Sequence, residues 1–150
     1  MSKYNIIKSS ITHKTRKAHI RGFTCGSFDL LHAGHILMLK EIKNQCHYLM
    51  VGLQSDPSID RNDKNSPIQS IEERRIQLEA VKYIDQIIEY DTEEDSVNLL
   101  KEIRPEIRFV GEDWKGNPNL TGVDLPIKIF YNTRDHNYSS SELRKRILNK

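Results

Sequence analysis

Short apolar segments alternate with helical patterns along most of the chain, and this alternation constrains the fold more than any other feature. Strands are expected at residues 20–25, 48–53, 86–90, 107–110 and 126–131, and helices at 34–43, from Ser70 onward, at 95–103 and at 139–148. Strands that alternate with helices form parallel sheets with right-handed crossovers. The sequence therefore predicts a single α/β domain, a five-stranded parallel sheet with helices on both faces.

The second of these helices has a clear start signal. Ser70 and Glu73 have the spacing of a capping box, in which Ser70 is the N-cap and Glu73 is the third helical residue. This helix is expected to carry Ile76, Leu78, Val81 and Ile84, with Arg74 and Arg75 near its start. The polar stretch that precedes it, residues 55–70, is expected to be a long loop, and long loops in compact domains are usually functional.

Composition indicates a globular protein and excludes several classes. The chain has 150 residues, of which 37% are hydrophobic and 29% charged, and this is enough for one domain with a substantial core. The longest apolar runs are too short to span a bilayer, and the N-terminus lacks the apolar core of a signal peptide. Two cysteines form no disulfide framework, so a cytoplasmic location is expected.

The net charge of the chain is small, but one segment before the first strand is locally basic. The formal net charge of +2 is too small to predict nucleic-acid binding. Residues 8–21 are locally basic, a pattern more typical of a solvated lead-in than of a nucleic-acid arm. The predicted division is therefore an N-terminal extension at residues 1–20 and a domain at residues 21–150.

Four polar segments follow predicted strands, at residues 26–35, 55–70, 111–116 and 133–141. In open parallel sheets, ligands bind beyond the carboxyl ends of the strands, where the strand order reverses. These four segments are therefore expected to lie together on one rim of the sheet.

The first of these segments joins a strand to a helix and carries two histidines. Backbone N–H groups at a helix start are unpaired, and the helix dipole favours an anion there. Gly26 allows close approach to a ligand, Gly34 allows a neighbouring chain or phosphate to pack on the helix, and His32 and His35 add side-chain donors. A zinc site is disfavoured because His-x-x-His lacks the i, i+4 spacing of a helical zinc pair.

The string Gly26-Ser-Phe-Asp-Leu-Leu-His-Ala-Gly-His35 matches the G-x-F-D-x-x-H-x-G-H pattern of the nucleotidylyltransferase superfamily. From about residue 22 to the C-terminus the chain resembles cytidylyltransferases, most closely those of the glycerol-3-phosphate type. The resemblance implies a Rossmann-like domain that transfers a cytidylyl group from CTP to a small phosphorylated alcohol, glycerol phosphate first, and releases pyrophosphate. It also implies Mg²⁺, held mainly by the nucleotide phosphates, and a homodimer.

The resemblance assigns roles to particular residues. The catalytic set implied is His32, His35, Lys64 and Arg134, of which the histidines hold the triphosphate and stabilise charge on the α-phosphate. The nucleotide-binding set implied is Cys25, Gly26, Ser27, Phe28, Arg74, Gly111, Glu112, Asp113, Trp114, Tyr138, Ser139, Ser140 and Ser141. Metal ligands are not assigned.

Several of these residues also have a plainer interpretation. Asp29 is expected to orient the turn by hydrogen bonding rather than to act in catalysis. An arginine in a first helical turn opposes the dipole, so Arg74 is expected to have an anion nearby, with Arg75 as its exposed neighbour. Lys64 could be a solvated lysine, and Trp114 could cap the end of the sheet rather than form a ligand wall.

The chain departs from the family pattern at four positions, three of them in the last segment. Ser140 and Ser141 replace threonines, Asn137 replaces a glycine, and Glu112 replaces an aspartate. Hydroxyls at a helix start bind phosphate well, although they could simply cap the helix. Asn tolerates a left-handed conformation, so the shape of the loop is expected to survive.

Two alternative functions are considered for a chain with this pattern. One is an adenylyltransferase of the same fold that acts on a sugar phosphate or a coenzyme precursor. The other is a non-catalytic nucleotide-binding regulator, which would be expected to lack one histidine or the serine-rich loop. Both histidines and the serines are present, and an enzyme is therefore favoured.

Overall fold

The computed structural model describes residues 18–150, so most of the N-terminal extension assigned to residues 1–20 lies outside the described residues. The strands are β1 (Arg21–Gly26), β2 (Tyr48–Gln54), β3 (Gln86–Tyr90), β4 (Ile107–Gly111) and β5 (Lys128–Asn132). The helices are α1 (Ala33–Lys43), α2 (Ile71–Glu79), α3 (Glu93–Ile103) and α4 (Ser140–Leu148). A single 3₁₀ turn, Glu112–Trp114, follows β4.

The five strands form one parallel sheet in the order β3-β2-β1-β4-β5, which confirms the predicted fold class. The strand order reverses between β1 and β4. These two strands pair only at Gly22 with Ile107 and at Phe23 with Arg108, whereas β1 pairs with β2 along its whole length. β1 and β4 therefore part toward their carboxyl ends and open a cleft at the place where such sheets bind ligands.

Helices cover both faces of the sheet, and each face has its own core cluster. On one face, Leu39 and Ile42 of α1 pack with Leu49 and Val51. On the other, Leu99 and Leu100 of α3 pack with strand residues that include Phe23 and Met50. The central strands are apolar on both sides because both sides are buried.

Most element boundaries agree with prediction, and α3 is the main exception. It begins at Glu93 rather than residue 95, because Thr92 is its N-cap and forms a capping box with Asp95. The predicted capping box of Ser70 and Glu73 starts α2 as expected. Each helix has nine or eleven residues. Within residues 18–150, none combines the length and apolarity that crossing a bilayer requires.

The helix that begins after Ser70 is shorter than predicted. It ends at Glu79, so Val81 and Ile84 follow it, although both still pack with the core. The buried residues of α2 are Arg74 and Leu78, which are one turn apart, and Ile76 is 59% exposed. A charged side chain therefore takes one of the two inward positions of this helix.

Candidate active site

A cavity of about 610 Å³ lies at the carboxyl ends of the strands, and residues of all four polar segments line it. We call one side the phosphate half; its lining residues are Gly26, Ser27, His32, Gly34, His35, Arg134, His136, Tyr138, Ser139, Ser140 and Ser141. We call the other the α3 half; its lining residues are Cys25, Gln54, Arg61, Tyr90, Glu93, Ser96, Arg108, Trp114 and Leu120. The prediction that the segments share one rim is confirmed.

The two motif histidines themselves begin α1. His32 is the N-cap, and its Nδ1 accepts a hydrogen bond from the N–H of Gly34 at 3.0 Å. Nδ1 of His35 accepts the N–H of His32 at 3.2 Å, which completes a capping box made of imidazoles. Because both Nδ1 atoms are acceptors, each neutral ring carries its proton on Nε2. The three-residue spacing is therefore that of a capping box.

Electrostatics keeps both histidines uncharged in the free protein. Burial, followed by the charge of His32, lowers the pKa of His35 to about 4. Burial also lowers the pKa of His32, and the charges of His136 and Arg134 add to this effect. At neutral pH the site therefore offers neutral N–H donors, and an incoming polyphosphate would favour their protonation.

The N-terminus of α4 faces the same histidines. Ser139 is the N-cap and accepts the N–H of Glu142, as predicted, and Oγ of Ser140 lies 3.2 Å from Nε2 of His32. The hydroxyls of Ser140 and Ser141 and the first N–H groups of α4 thus meet the imidazoles. Two helix starts converge on one space, and both favour an anion there.

Gly34 makes this convergence possible. A Cβ atom at this position would lie 2.9 Å from the carbonyl oxygen of Tyr138 and 3.0 Å from Cε1 of His136. The loop before α4 therefore packs directly on the start of α1, and the predicted role of this glycine is confirmed. Asn137 does not need a left-handed conformation, because it is not among the described residues with positive φ.

Asp29 ties three segments of the site together, as the sequence predicts for an orienting residue. It is 5% exposed, and its carboxylate accepts the N–H groups of Ile68 and Gln69 and a guanidinium N–H of Arg144, each at 2.9 Å. The flanking residues Phe28 and Leu30 have φ values of 50° and 51°, which are strained for such side chains. The bonds of Asp29 hold this turn in place.

The structure does not bring three of the predicted nucleotide-binding side chains to the cavity. Arg74 is 2% exposed and donates to carbonyl oxygens, those of Ser27, Gln54, Ser55, Gln69 and Ser70. These bonds are to carbonyls, and the negative charges of Asp29, Asp56 and Glu89 favour the charged form of Arg74, in line with the anion expected nearby. Phe28 is buried against His35, and Glu112 accepts the N–H of Arg134 at 3.2 Å. All three lie outside the cavity lining and contact residues that form it.

The remaining predicted residues do line the cavity. Lys64 and Arg134 are exposed at its edge, and Asp113 and Trp114 are also part of the wall. Trp114 is half-buried, and the guanidinium of Arg61 lies 5.1 Å from its ring centroid. This position supports the interpretation of Trp114 as a ligand wall.

Sequence reasoning missed most of the α3 half. Arg61 pairs with Glu93 at 3.0 Å, and the amide of Gln54 lies beside the hydroxyl of Tyr90 at 3.5 Å. Burial raises the pKa of Tyr90 above its usual range, so its hydroxyl remains protonated. The available signal was Arg108, a charged residue inside the apolar run from Ile107 to Val110.

The carboxylates of the cavity are few. Among residues 18–150, no group of three or more His, Cys, Asp or Glu side chains is placed to hold a metal ion. Asp113 lines the cavity, and Glu93 is engaged by Arg61.

A parallel sheet whose cleft holds two facing helix starts is an anion-binding α/β architecture, and the histidine motif makes it that of the nucleotidyltransferases. The cytidylyltransferase-like family model matches residues 23–146, and the chain belongs to that family.

Similar proteins agree with this assignment. The bifunctional protein HldE of Wolinella succinogenes is 38% identical over 104 residues, which cover 69% of this chain and 22% of that protein. HldE of Campylobacter jejuni is 31% identical over 129 residues, which cover 85% of this chain and 28% of that protein. The chain thus spans about a quarter of the length of these curated relatives.

Solved structures show the same fold. A lipopolysaccharide core biosynthesis protein from Thermoplasma volcanium is 28% identical, with a TM-score of 0.61 over 81% of this chain and 100% of that one. A pantothenate synthetase from Thermus thermophilus, 14% identical, has a TM-score of 0.57 over 85% of this chain and 64% of that one. At that identity the likeness concerns the fold alone.

Proposed function

We propose that this protein is a cytidylyltransferase, which converts CTP and a small phosphorylated alcohol into a CDP-alcohol and pyrophosphate. The observation that carries the proposal is the convergence of His32, His35 and Ser140 at two helix starts. This arrangement supplies imidazole, hydroxyl and backbone donors to one polyphosphate. Glycerol phosphate is the first acceptor to test.

The proposed reaction is a single in-line displacement. A phosphate oxygen of the acceptor attacks the α-phosphorus, a new P–O bond forms, and the bond to the oxygen that bridges to the β-phosphate breaks. Pyrophosphate leaves with that electron pair. No covalent enzyme intermediate is required, because positioning and stabilisation of charge supply the rate.

Six side chains have defined tasks in the proposed reaction. Nε2–H groups of His32 and His35 donate to the α-phosphate region, where charge develops, and Ser140 and Ser141 bind the outer phosphates. Arg134 and Lys64 lie at the edge, where they would balance the charge of the leaving pyrophosphate. Mg²⁺, bound to the phosphate oxygens, would supply further charge neutralisation.

Selection of cytosine is the finer part of the proposal. Gly111 at the end of β4 and the turn after it, residues 112–115, contribute Gly111, Asp113 and Trp114 to the cavity wall. A small pocket with backbone acceptors here would select the N4 amino group. A site whose polar groups match one base rejects another strongly, because those groups are then left unpaired. ATP, as used by an adenylyltransferase of this fold, is the competing nucleotide.

The test is a pyrophosphate-release screen of CTP, ATP, UTP and GTP against phosphorylated alcohols and sugars. We expect CTP to be preferred by at least about 10²-fold in kcat/KM. Trp114 is the only tryptophan, so its fluorescence reports nucleotide binding directly. If ATP titrates the fluorescence and supports turnover while CTP does neither, the protein is an adenylyltransferase.

We also propose a homodimer, as the resemblance to cytidylyltransferases implies. Light scattering at micromolar concentration should give twice the 17.5 kDa mass of the chain. A mass of one chain under these conditions would refute the dimer without affecting the proposed chemistry.

A further inference from the structure

Arg108 is a charged residue at the centre of the sheet. It lies on β4 between Ile107 and Phe109, pairs with Phe23 of β1, and is only 5% exposed. Its Nη1 lies 2.6 Å from the carbonyl oxygen of Thr121, and its side chain lines the α3 half of the cavity. An apolar residue at this position would extend the core, but the chain has an arginine here.

Arg108 makes no direct ion pair within residues 18–150. Its hydrogen bond to Thr121 is to a neutral carbonyl. Glu93, the acid of the α3 half, is held by Arg61 at 3.0 Å. This half of the cavity therefore contains two guanidinium groups and one carboxylate.

Buried arginines are normally paired, because leaving a charge uncompensated away from water is costly. An unpaired one that faces a cavity has the geometry of an anion site. The guanidinium is a planar fork that suits carboxylate and phosphate oxygens. One of its nitrogens is committed to Thr121, which fixes the orientation of the side chain and leaves other N–H groups for a ligand.

We propose that Arg108 binds an anionic group of the acceptor other than the phosphate that attacks the nucleotide. The acceptor class is then a phosphorylated alcohol that also carries a carboxylate or a second phosphate. The identity of the ligand as the acceptor rests on the proposed function, since the phosphate half is assigned there to the nucleotide. Glycerol phosphate lacks a second anion and is expected to be a weaker acceptor than its carboxylate counterpart.

Matched pairs of probes test this inference. Glycerol 3-phosphate is compared with 3-phosphoglycerate, glucose 6-phosphate with 6-phosphogluconate, and fructose 6-phosphate with fructose 1,6-bisphosphate. Calorimetry on the full chain measures the affinity of each probe. In at least one pair, we expect the member with the second anion to bind about tenfold tighter or more. The first two pairs report a carboxylate, and the third a second phosphate.

Variants link the preference to the side chain. Arg108→Gln removes the charge but keeps a donor for Thr121, and it should abolish the preference within a pair. Arg108→Lys keeps a positive charge but lacks the planar guanidinium fork. This variant should retain only part of the preference. Arg146→Met is the matched control, because it removes an exposed charge on α4 outside the cavity. Fluorescence of Trp114 with CTP checks that each variant is folded.

Two results would overturn the anion site: no preference in any pair for the natural protein, or a preference unchanged in Arg108→Gln. If that variant does not fold, an unchanged preference in Arg108→Lys has the same meaning. Pyrophosphate release with the same probes separates the two proposals. Equal kcat/KM values for the two members of every pair would refute the anion site and leave the proposed reaction intact. A preference in binding that depends on Arg108, without turnover from any nucleotide, refutes the proposed reaction.

Discussion

The two halves of the cavity are built in different ways. In the phosphate half, donors come from two helix starts, and the side chains involved are anchored to backbone groups: His32 to Gly34, His35 to His32, and Ser139 to Glu142. In the α3 half, the walls consist of side chains that hold one another, such as Arg61 with Glu93 and with Trp114.

This difference predicts that variants in the two halves affect different properties, activity in the phosphate half and stability in the α3 half. A helix start remains intact when one outward-facing donor is replaced, provided the cap is kept, so variants in the phosphate half should lose activity and stay folded. Side chains that bond to one another leave unpaired partners when one is truncated, so variants in the α3 half should lose stability. The predictions below test this contrast, from the largest effect to the smallest.

Replacing His35 should have the largest effect. Gln reaches back to the N–H of an N-cap residue in ordinary capping boxes, so His35→Gln should keep the start of α1. Loss of a preorganised donor typically lowers kcat by about 10²–10³. Steady-state pyrophosphate release measures the rate, and circular dichroism with thermal unfolding measures the fold. Turnover near that of the natural protein in a folded variant would remove His35 from the mechanism.

Arg134 should matter for the outer phosphates more than for the base. Arg134→Ala should weaken binding of CTP by about 10- to 100-fold, the range for a charge-assisted contact, and should weaken CMP binding much less. Arg134→Lys should recover part of the loss. Fluorescence titration of Trp114 measures both nucleotides. Equal losses for CTP and CMP would show that this side chain does not contact the β- or γ-phosphate.

The phosphate half was largely predictable, because its residues are close in sequence and its spacing has a local cause. His32 and His35 are three apart since they are the N-cap and third residue of one helix, and the serines are adjacent at another. Most of the α3 half was not predictable. Arg61 and Glu93 are 32 residues apart, and they meet because they follow β2 and β3, which pair in parallel and end side by side.

Arg74 shows in another way that a local sequence pattern does not identify the partners of a side chain. Its place in the first turn of α2 indicated an anion nearby, and Asp29 is one, but the groups that bond to it are carbonyl oxygens from three separate segments. A sequence pattern specifies that a charge needs compensation. Which atoms supply it depends on tertiary packing, which a local pattern does not contain.

Titration of His35 gives a smaller, pH-dependent effect on stability. Its pKa of about 4 is below the unfolded value of about 6.5, so the folded state binds fewer protons between these values. The contribution to stability is present above pH 6.5 and is lost as the pH falls toward 4. Between pH 8 and pH 5, the natural protein should therefore lose about 1–2 kcal/mol more stability than His35→Gln loses.

Urea unfolding of both proteins at a series of pH values measures this difference. Carboxylates also titrate in this range, but they are common to both proteins and cancel in the comparison. A difference between the two proteins that does not change with pH would mean that His35 is not held neutral by burial, and its role as a neutral donor would have to be revised.

The smallest effect is expected at Arg61, and it tests the α3 half. Arg61→Met removes a contact with Trp114 and leaves Glu93 without its ion-pair partner, so it should cost about 1 kcal/mol of stability. It should weaken CTP binding far less than Arg134→Ala does, since the groups that donate to the phosphates do not depend on this contact.

Arg75→Met is the matched control. Arg75 pairs with Glu89 at the surface and contacts no aromatic ring among residues 18–150, so its loss should cost under about 0.5 kcal/mol. Equal stability losses for the two variants, measured by urea unfolding, would show that side-chain contacts do not hold the α3 half together. A large loss of CTP affinity in Arg61→Met would instead show that the two halves are coupled.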